Sequence, residues 1–230
     1  MRIRSLCLAG LGILALPTFL PAQSSFEGVV TYRVTAEGTT GELRFSVKGN
    51  KARMDVQVPD MPGEMYVLMD MERELVQSVI PMMGMYMEMD LKQAAGAAGT
   101  PADSVPPFRK LGTSDEIAGI RCENYRFGPV GNEETEMCIA TGMGWFMGGW
   151  PMGGLRRGAR SEGPNFAAYR DAFKDGMLPL RVSLLNNGRW VGMMEVTRVE
   201  RTSLDDKLFV LPSGLQKMNI PGGPGGVPPA

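Results

Sequence analysis

The sequence predicts a mainly β domain: one strongly curved antiparallel sheet with two or three short helices. Apolar residues recur at every second position from Phe26 to Leu91, and Gly, Asn and Pro separate those runs at hairpin distances. With 43% hydrophobic and 21% charged residues the chain is rich enough in apolar surface to fold, and it shows neither an internal repeat nor a domain boundary. One domain over residues 23–218 is expected.

The strands follow in order. Val30/Tyr32/Val34, Leu43/Phe45/Val47, Ala52/Met54/Val56/Val58 and Met65/Val67/Met69 each alternate. Lys48-Gly49-Asn50-Lys51 offers a Gly-Asn pair that tolerates positive φ, and Pro81 to Gly84 separates ELVQSVI from MYMEMDL. Such short connections imply an antiparallel meander. Residues 92–107, rich in Ala, Gly and Pro, fit a short helix running into an irregular connection. The second half resumes with FRKLGTSDEIAGIRCENYRF, in which IAGIRCENYRF, with ETEMCIA, reads as a strand on either side of a Gly/Pro/Asn turn.

The stretch TGMGWFMGGWPMGGLRRGARSEGP has too many glycines for a strand; it is expected to start as a helix over 143–147 and continue as a loop. Residues 165–174 predict a helix with Phe166, Tyr169 and Phe173 on one face. LPLRVSLL and RWVGMMEVTRVER flank Asn186-Asn187-Gly188, a hairpin signal. Asp205-Asp206 reads as a turn or helix start, and residues 219–230 form a Pro/Gly tail expected to be disordered.

At the N-terminus, Arg2 and Arg4 precede an apolar run from Leu6 to Leu16, which Pro17 and Pro21 end before Ala22. This is the pattern of a secretory signal peptide over residues 1–22, too short and too interrupted to span a bilayer. Cleavage after Ala22 leaves 22 basic against 25 acidic residues, a net charge of −3. Cys7 lies too early to be a lipid-bearing cysteine, so a soluble periplasmic or secreted protein without an acyl anchor is expected. Export leaves Cys122 and Cys138 in oxidising conditions on neighbouring strands, which predicts a disulfide between them.

The full chain carries 24 Lys+Arg, 25 Asp+Glu and no His. Without imidazole, Ser-His-Asp and Cys-His catalysis and His-based zinc sites are excluded, and the charge balance gives no basic surplus for nucleic acid. No nucleophile elbow, phosphate loop or paired carboxylate stands out, so a non-catalytic protein without a cofactor is expected.

The feature that remains is 19 methionines. Met83, Met85, Met87 and Met89 alternate in one predicted strand and Met65 and Met69 in another, which puts each set on one face. Three readings stay open. The face is ordinary core; or it lines a cavity that adapts to apolar ligands, since thioethers are flexible and polarizable; or the thioethers hold Cu(I), a soft ion that selects sulfur. Trp145, Phe146 and Trp150 among glycines fit a cover over such a cavity, a transient membrane-surface contact, or simple packing on the sheet.

FEGVVTYRVT, GNKARMDV, MYMEMDL, TSDEIAGIRCENYRF followed by EMCIA, MLPLRV and VTRVERTSLDDKLFVLPSGLQKM resemble a bacterial family of exported proteins known only as a domain of unknown function. The resemblance covers nearly the whole mature chain. That family is in turn similar to the group sharing the lipoprotein-carrier fold of LolA, LolB and LppX. This implies a half-barrel with helices on its concave face around an apolar cavity, and a carrier of lipid, lipoprotein acyl chain or another apolar molecule. On this reading Met65, Met69, Met83, Met85, Met87, Met89, Trp145, Phe146 and Trp150 line the site. The alternatives are a Met-rich Cu(I)-binding protein of the periplasm and a structural or protein-interaction module of the cell envelope.

Overall fold

The computed structural model describes residues 26–36, 39–56, 65–90, 108–128, 134–145, 173 and 175–218, and the statements below concern those. The expected signal segment, the tail, the helix over 92–107 and all but Phe173 and Asp175 around the helix over 165–174 lie outside the described residues.

Consecutive strands β1 (Glu27–Ala36), β2 (Thr39–Lys48), β3 (Lys51–Val56), β4 (Met65–Asp70), β5 (Leu75–Ile80) and β6 (Met85–Asp90) pair antiparallel as the sequence predicts. A second run comprises β7 (Phe108–Ile117), β8 (Ile120–Phe127), β9 (Thr135–Ala140), β10 (Gly144–Trp145), β11 (Gly176–Asn186) and β12 (Arg189–Arg201). The short β13 (Gln216–Lys217) follows. All thirteen belong to one curved, non-closed sheet with spatial order β13-β6-β5-β4-β3-β2-β1-β12-β11-β9-β8-β7, and β10 lies off this path beside β11. The sheet is therefore two meanders laid side by side, and β1 against β12 is their seam.

Because side chains alternate, residues opposite one another share a face. One row runs Val30, Phe45, Met54, Val67, Ser78, Met87 across six strands. A second runs Val34, Met194, Val182, Met137, Tyr125 across the seam. Both belong to the face we call inner, where Val30, Phe45, Val67, Leu180 and Val182 are fully buried in the main core. The outer face of β4 and β5 is apolar too: Tyr66, Leu68 and Val79 are buried in a smaller cluster with Tyr86, Leu211 and Leu215. The segment after β12 crosses that outer face.

Two ends of this crossing segment are fixed. At its start, Lys48 Nζ donates to the Leu204 carbonyl at 2.7 Å and pairs with Asp206 at 2.8 Å and Glu27 at 3.4 Å. Glu27 Oε1 in turn accepts from the Leu204 N–H at 2.7 Å. Asp205 caps the 3₁₀ turn Asp206–Phe209 by accepting from Lys207 N at 2.9 Å, which meets the expectation of a turn or helix start there. At the far end β13 pairs parallel with Met85 and Tyr86.

Of the helix expected over 143–147, residues 143–145 are described and are not helical. Gly144 and Trp145 instead pair parallel with Gly176 and Met177. The reason is backbone proximity: a Cβ on Gly176 would lie 2.5 Å from the Gly144 carbonyl oxygen, and one on Gly144 would lie 2.8 Å from Val47. Both glycines have positive φ, so residues that looked like helix or loop punctuation permit a close crossing over the inner face. Phe173, expected on a helix face, is irregular and buried, and its carbonyl accepts from Gly176 N. Among the described residues the helical pieces are the 3₁₀ turns Pro81–Met83 and Asp206–Phe209.

Cys122 of β8 and Cys138 of β9 form the expected disulfide, with Cα atoms 5.3 Å apart. Cys138 stands opposite Asn124, so the bridge runs diagonally between the two strands, and both cysteines are buried. Restricting the unfolded chain over this separation contributes about 3 kcal/mol. Reducing the bridge, or replacing both cysteines by Ser, is expected to lower unfolding free energy in urea by about that amount.

The clamp at Lys48 gives a pH dependence. The Leu204 N–H holds the Glu27 carboxyl below its ordinary range, the Lys48 ammonium holds Asp206 below its own, and Asp206 raises the Lys48 ammonium in return. The carboxylates therefore stabilise the fold fully above their unfolded values of about 4, and this is lost as pH falls through the lower folded values. The lysine's share is present below its unfolded value of about 10.4 and is lost as pH rises through the raised folded one. Lys48→Met is expected to flatten the acid limb of a urea-midpoint against pH profile; an unchanged limb would exclude the clamp as its source.

Candidate functional site

Strand register assembles the methionine face. Met65 and Met69 of β4 stand opposite Val56 and Ala52, and on β6 Met85, Met87 and Met89 stand opposite Ile80, Ser78 and Val76. Since Val76 is also opposite Met69, these five methionines occupy the same inner face as the main core. Met69 is buried, whereas Met65, Met85, Met87 and Met89 are half-buried. Coverage of the inner face thus decreases along the sheet, from Phe45 and Met54, fully buried on β2 and β3, to the half-open row on β6.

Met83 departs from the alternation expected of it. It ends the 3₁₀ turn Pro81–Met83, with Pro81 at its start and Gly84 in the left-handed region at φ 64°, and it is exposed. Proline followed three residues later by a positive-φ glycine closes a tight turn, so the strand begins at Met85.

The arrangement also bears on the thioether reading. Strand β5 lies between β4 and β6 and presents Val76, Ser78 and Ile80, so no methionine of β4 directly neighbours one of β6. Two strand spacings separate the two sets by about 10 Å, and same-face neighbours along β6 lie about 7 Å apart. No group of three Cys, Asp or Glu side chains suited to a metal occurs among the described residues.

β6 is held from behind. Glu88, on its outer face, accepts from Gln77 Nε2 at 2.9 Å and from Lys217 Nζ at 2.8 Å. The Lys217 hydrogen bond is the main cause that keeps the Glu88 carboxyl below its ordinary range. Gln216 N donates to the Gly84 carbonyl and Met218 N to that of Tyr86, both at 2.8 Å. These contacts fix the strand while leaving its methionine side uncovered by them.

At the opposite end of the inner face stands a group of aromatics, Phe108, Tyr125, Phe127 and Phe173, of which the sequence singles out Phe173 alone. Tyr125 and Phe173 meet edge to face at 5.2 Å between centroids, and Phe108 stacks on Phe127 at 5.7 Å. The Tyr125 hydroxyl donates to Glu123 at 3.1 Å, Lys110 pairs with the same carboxylate, and burial is the first cause that raises the Tyr125 phenol. The signal was the odd-position pair Tyr125/Phe127 in CENYRF, which shares the parity of a core face.

The backbone of Trp145 lies in β10 opposite Met177, and Phe146 and Trp150 lie outside the described residues. Among carboxylates, Glu134 is buried in an ion pair with Arg109, and Asp115 accepts from Arg181 and from Asn124.

A family model described as a domain of unknown function, DUF4412, matches residues 26–215. No curated protein matches the chain. Among solved structures, an uncharacterized conserved protein from Thermus thermophilus is similar at 12% identity and TM-score 0.50, covering 85% of this chain and 91% of that one. PNGF-II is similar at 14% identity and TM-score 0.46, covering 84% of this chain and 30% of that one. MucB of Pseudomonas aeruginosa, solved with MucA, is similar at 13% identity and TM-score 0.42, covering 86% and 60%. At these identities the likeness to the Thermus protein concerns the fold alone.

Proposed function

The chain belongs to the DUF4412 family, and on that premise we propose that it is an exported, non-catalytic binding protein for an apolar ligand such as a lipid or lipoprotein acyl chain. The observation that carries this reading is the graded covering of the inner face: complete at Phe45 and Met54, partial at Met65, Met85, Met87 and Met89. An apolar face left half-covered gains free energy from an apolar occupant, at roughly 25 cal/mol per Å² removed from water, or about 0.8 kcal/mol per methylene. Methionine side chains adapt to chains of varied shape, so specificity is broad. The reading takes the curved sheet as a half-barrel of the lipoprotein-carrier kind, open on its concave side. It places the protein, after cleavage of residues 1–22, in the periplasm or outside the cell, with transient contact to membrane surfaces when it loads.

The carboxylates engaged by Arg109, Arg181 and Lys48 support a non-catalytic role, since each is occupied in holding strands or the crossing segment together. Native mass spectrometry and lipid extraction of the mature protein taken from the periplasm test the proposal. Co-purifying lipid is expected. Met85, Met87 and Met89 changed together to Ser should weaken binding of a fluorescent fatty acid at least tenfold with an unchanged circular dichroism spectrum. A protein that is reproducibly empty and ignores the probe would overturn the reading.

A further inference from the structure

Of the methionines in described residues, two stand apart. Met82 and Met83 are 61% and 60% exposed, whereas Met54 and Met177 are 1% exposed and Met69 4%. They are adjacent on the turn Pro81–Met83, immediately before β6, and no buried residue belongs to that turn. A core role does not account for two large apolar side chains in water at a hairpin tip, and polar residues would serve a 3₁₀ turn equally well. What these positions offer is two solvent-accessible thioether sulfurs directly preceding the half-buried methionines of the inner face.

We propose that Met82 and Met83 are a modification site: they are oxidised to methionine sulfoxide by hypohalous acid ahead of Met85, Met87 and Met89, and so spare the inner face. The thioether lone pair attacks the chlorine of hypochlorous acid and hydroxide leaves. Water then adds to sulfur, two protons are lost and chloride departs. In sum, thioether and hypochlorous acid give sulfoxide, chloride and a proton; sulfur loses two electrons and chlorine gains them. Accessible sulfur reacts first, and a sulfoxide, being polar, is tolerated on an exposed turn but not on an apolar face. Peptide methionine sulfoxide reductases act on exposed sulfoxides, so the site can be restored. The proposal goes beyond the binding role, because it holds whether or not an apolar ligand occupies the inner face.

The test uses the mature full chain and hypochlorous acid at one equivalent, with peptide mapping by mass spectrometry. Sulfoxide at Met82 and Met83 should exceed that at Met54 and Met177 at least tenfold, and methionine sulfoxide reductase should remove it. In the double variant Met82→Leu, Met83→Leu, whose changes fall on exposed side chains, sulfoxide at Met85, Met87 and Met89 should rise at least twofold at the same dose. Equal oxidation of the turn and of β6 in the unaltered protein, or no rise in the variant with its circular dichroism spectrum intact, would overturn the proposal. The protein is freed of lipid before oxidation, so that neither outcome depends on ligand binding.

Discussion

The pairing of β1 with β12 holds the two halves of the sheet together. Each meander closes through local hairpins, but the single wide inner face exists only because Val30 stands opposite Val199 and Val34 opposite Met194. The seam is close enough to demand glycine at one point: a Cβ on Gly28 would fall 2.0 Å from the Glu200 carbonyl oxygen. It also carries an irregularity between Thr31 and Tyr32, the kind of feature that adds twist to a strand pair. Because its residues are far apart in sequence, closing it is the costly step in chain entropy, and the residues that repay that cost are the fully buried Val30 and Tyr32 of β1 with the buried Met194 and Val196 of β12.

From that seam the distribution of covering follows. Segments that cross the sheet reach it at particular places: β10 against Val47 on the inner face, Leu211 and Leu215 against Tyr66 and Val79 on the outer one. At β4 and β5 both faces are buried. At β6 the outer face and edge are held by the crossing segment while Met85, Met87 and Met89 remain half-open on the inner face. Among the described residues, the half-open row thus follows from where the crossing segments reach the sheet.

Much of this was readable in the residues. Period-two runs and the turns at Gly49-Asn50 and Asn187-Gly188 placed the hairpins, and parity placed Met85, Met87 and Met89 together. The errors share a cause, because glycine serves several purposes. Gly84 ended a turn and removed Met83 from the strand, and Gly144 and Gly176 allowed a close backbone crossing where a helix was expected. The outer cluster was hidden for a different reason. MYVLM is an unbroken apolar run, the mark of a strand buried on both faces, yet alternation alone assigns only every second residue. The partners of that cluster, Leu211 and Leu215, lie more than a hundred residues away, beyond the reach of local pattern.

The central claim is that the methionine face of β6 receives an apolar ligand. Its most direct test is nuclear magnetic resonance of protein labelled with carbon-13 at the methionine methyl groups, titrated with a long-chain fatty acid. The account predicts that the Met85, Met87 and Met89 signals shift saturably while those of the buried Met54 and Met177 stay in place; a titration that leaves the β6 signals unmoved would contradict it.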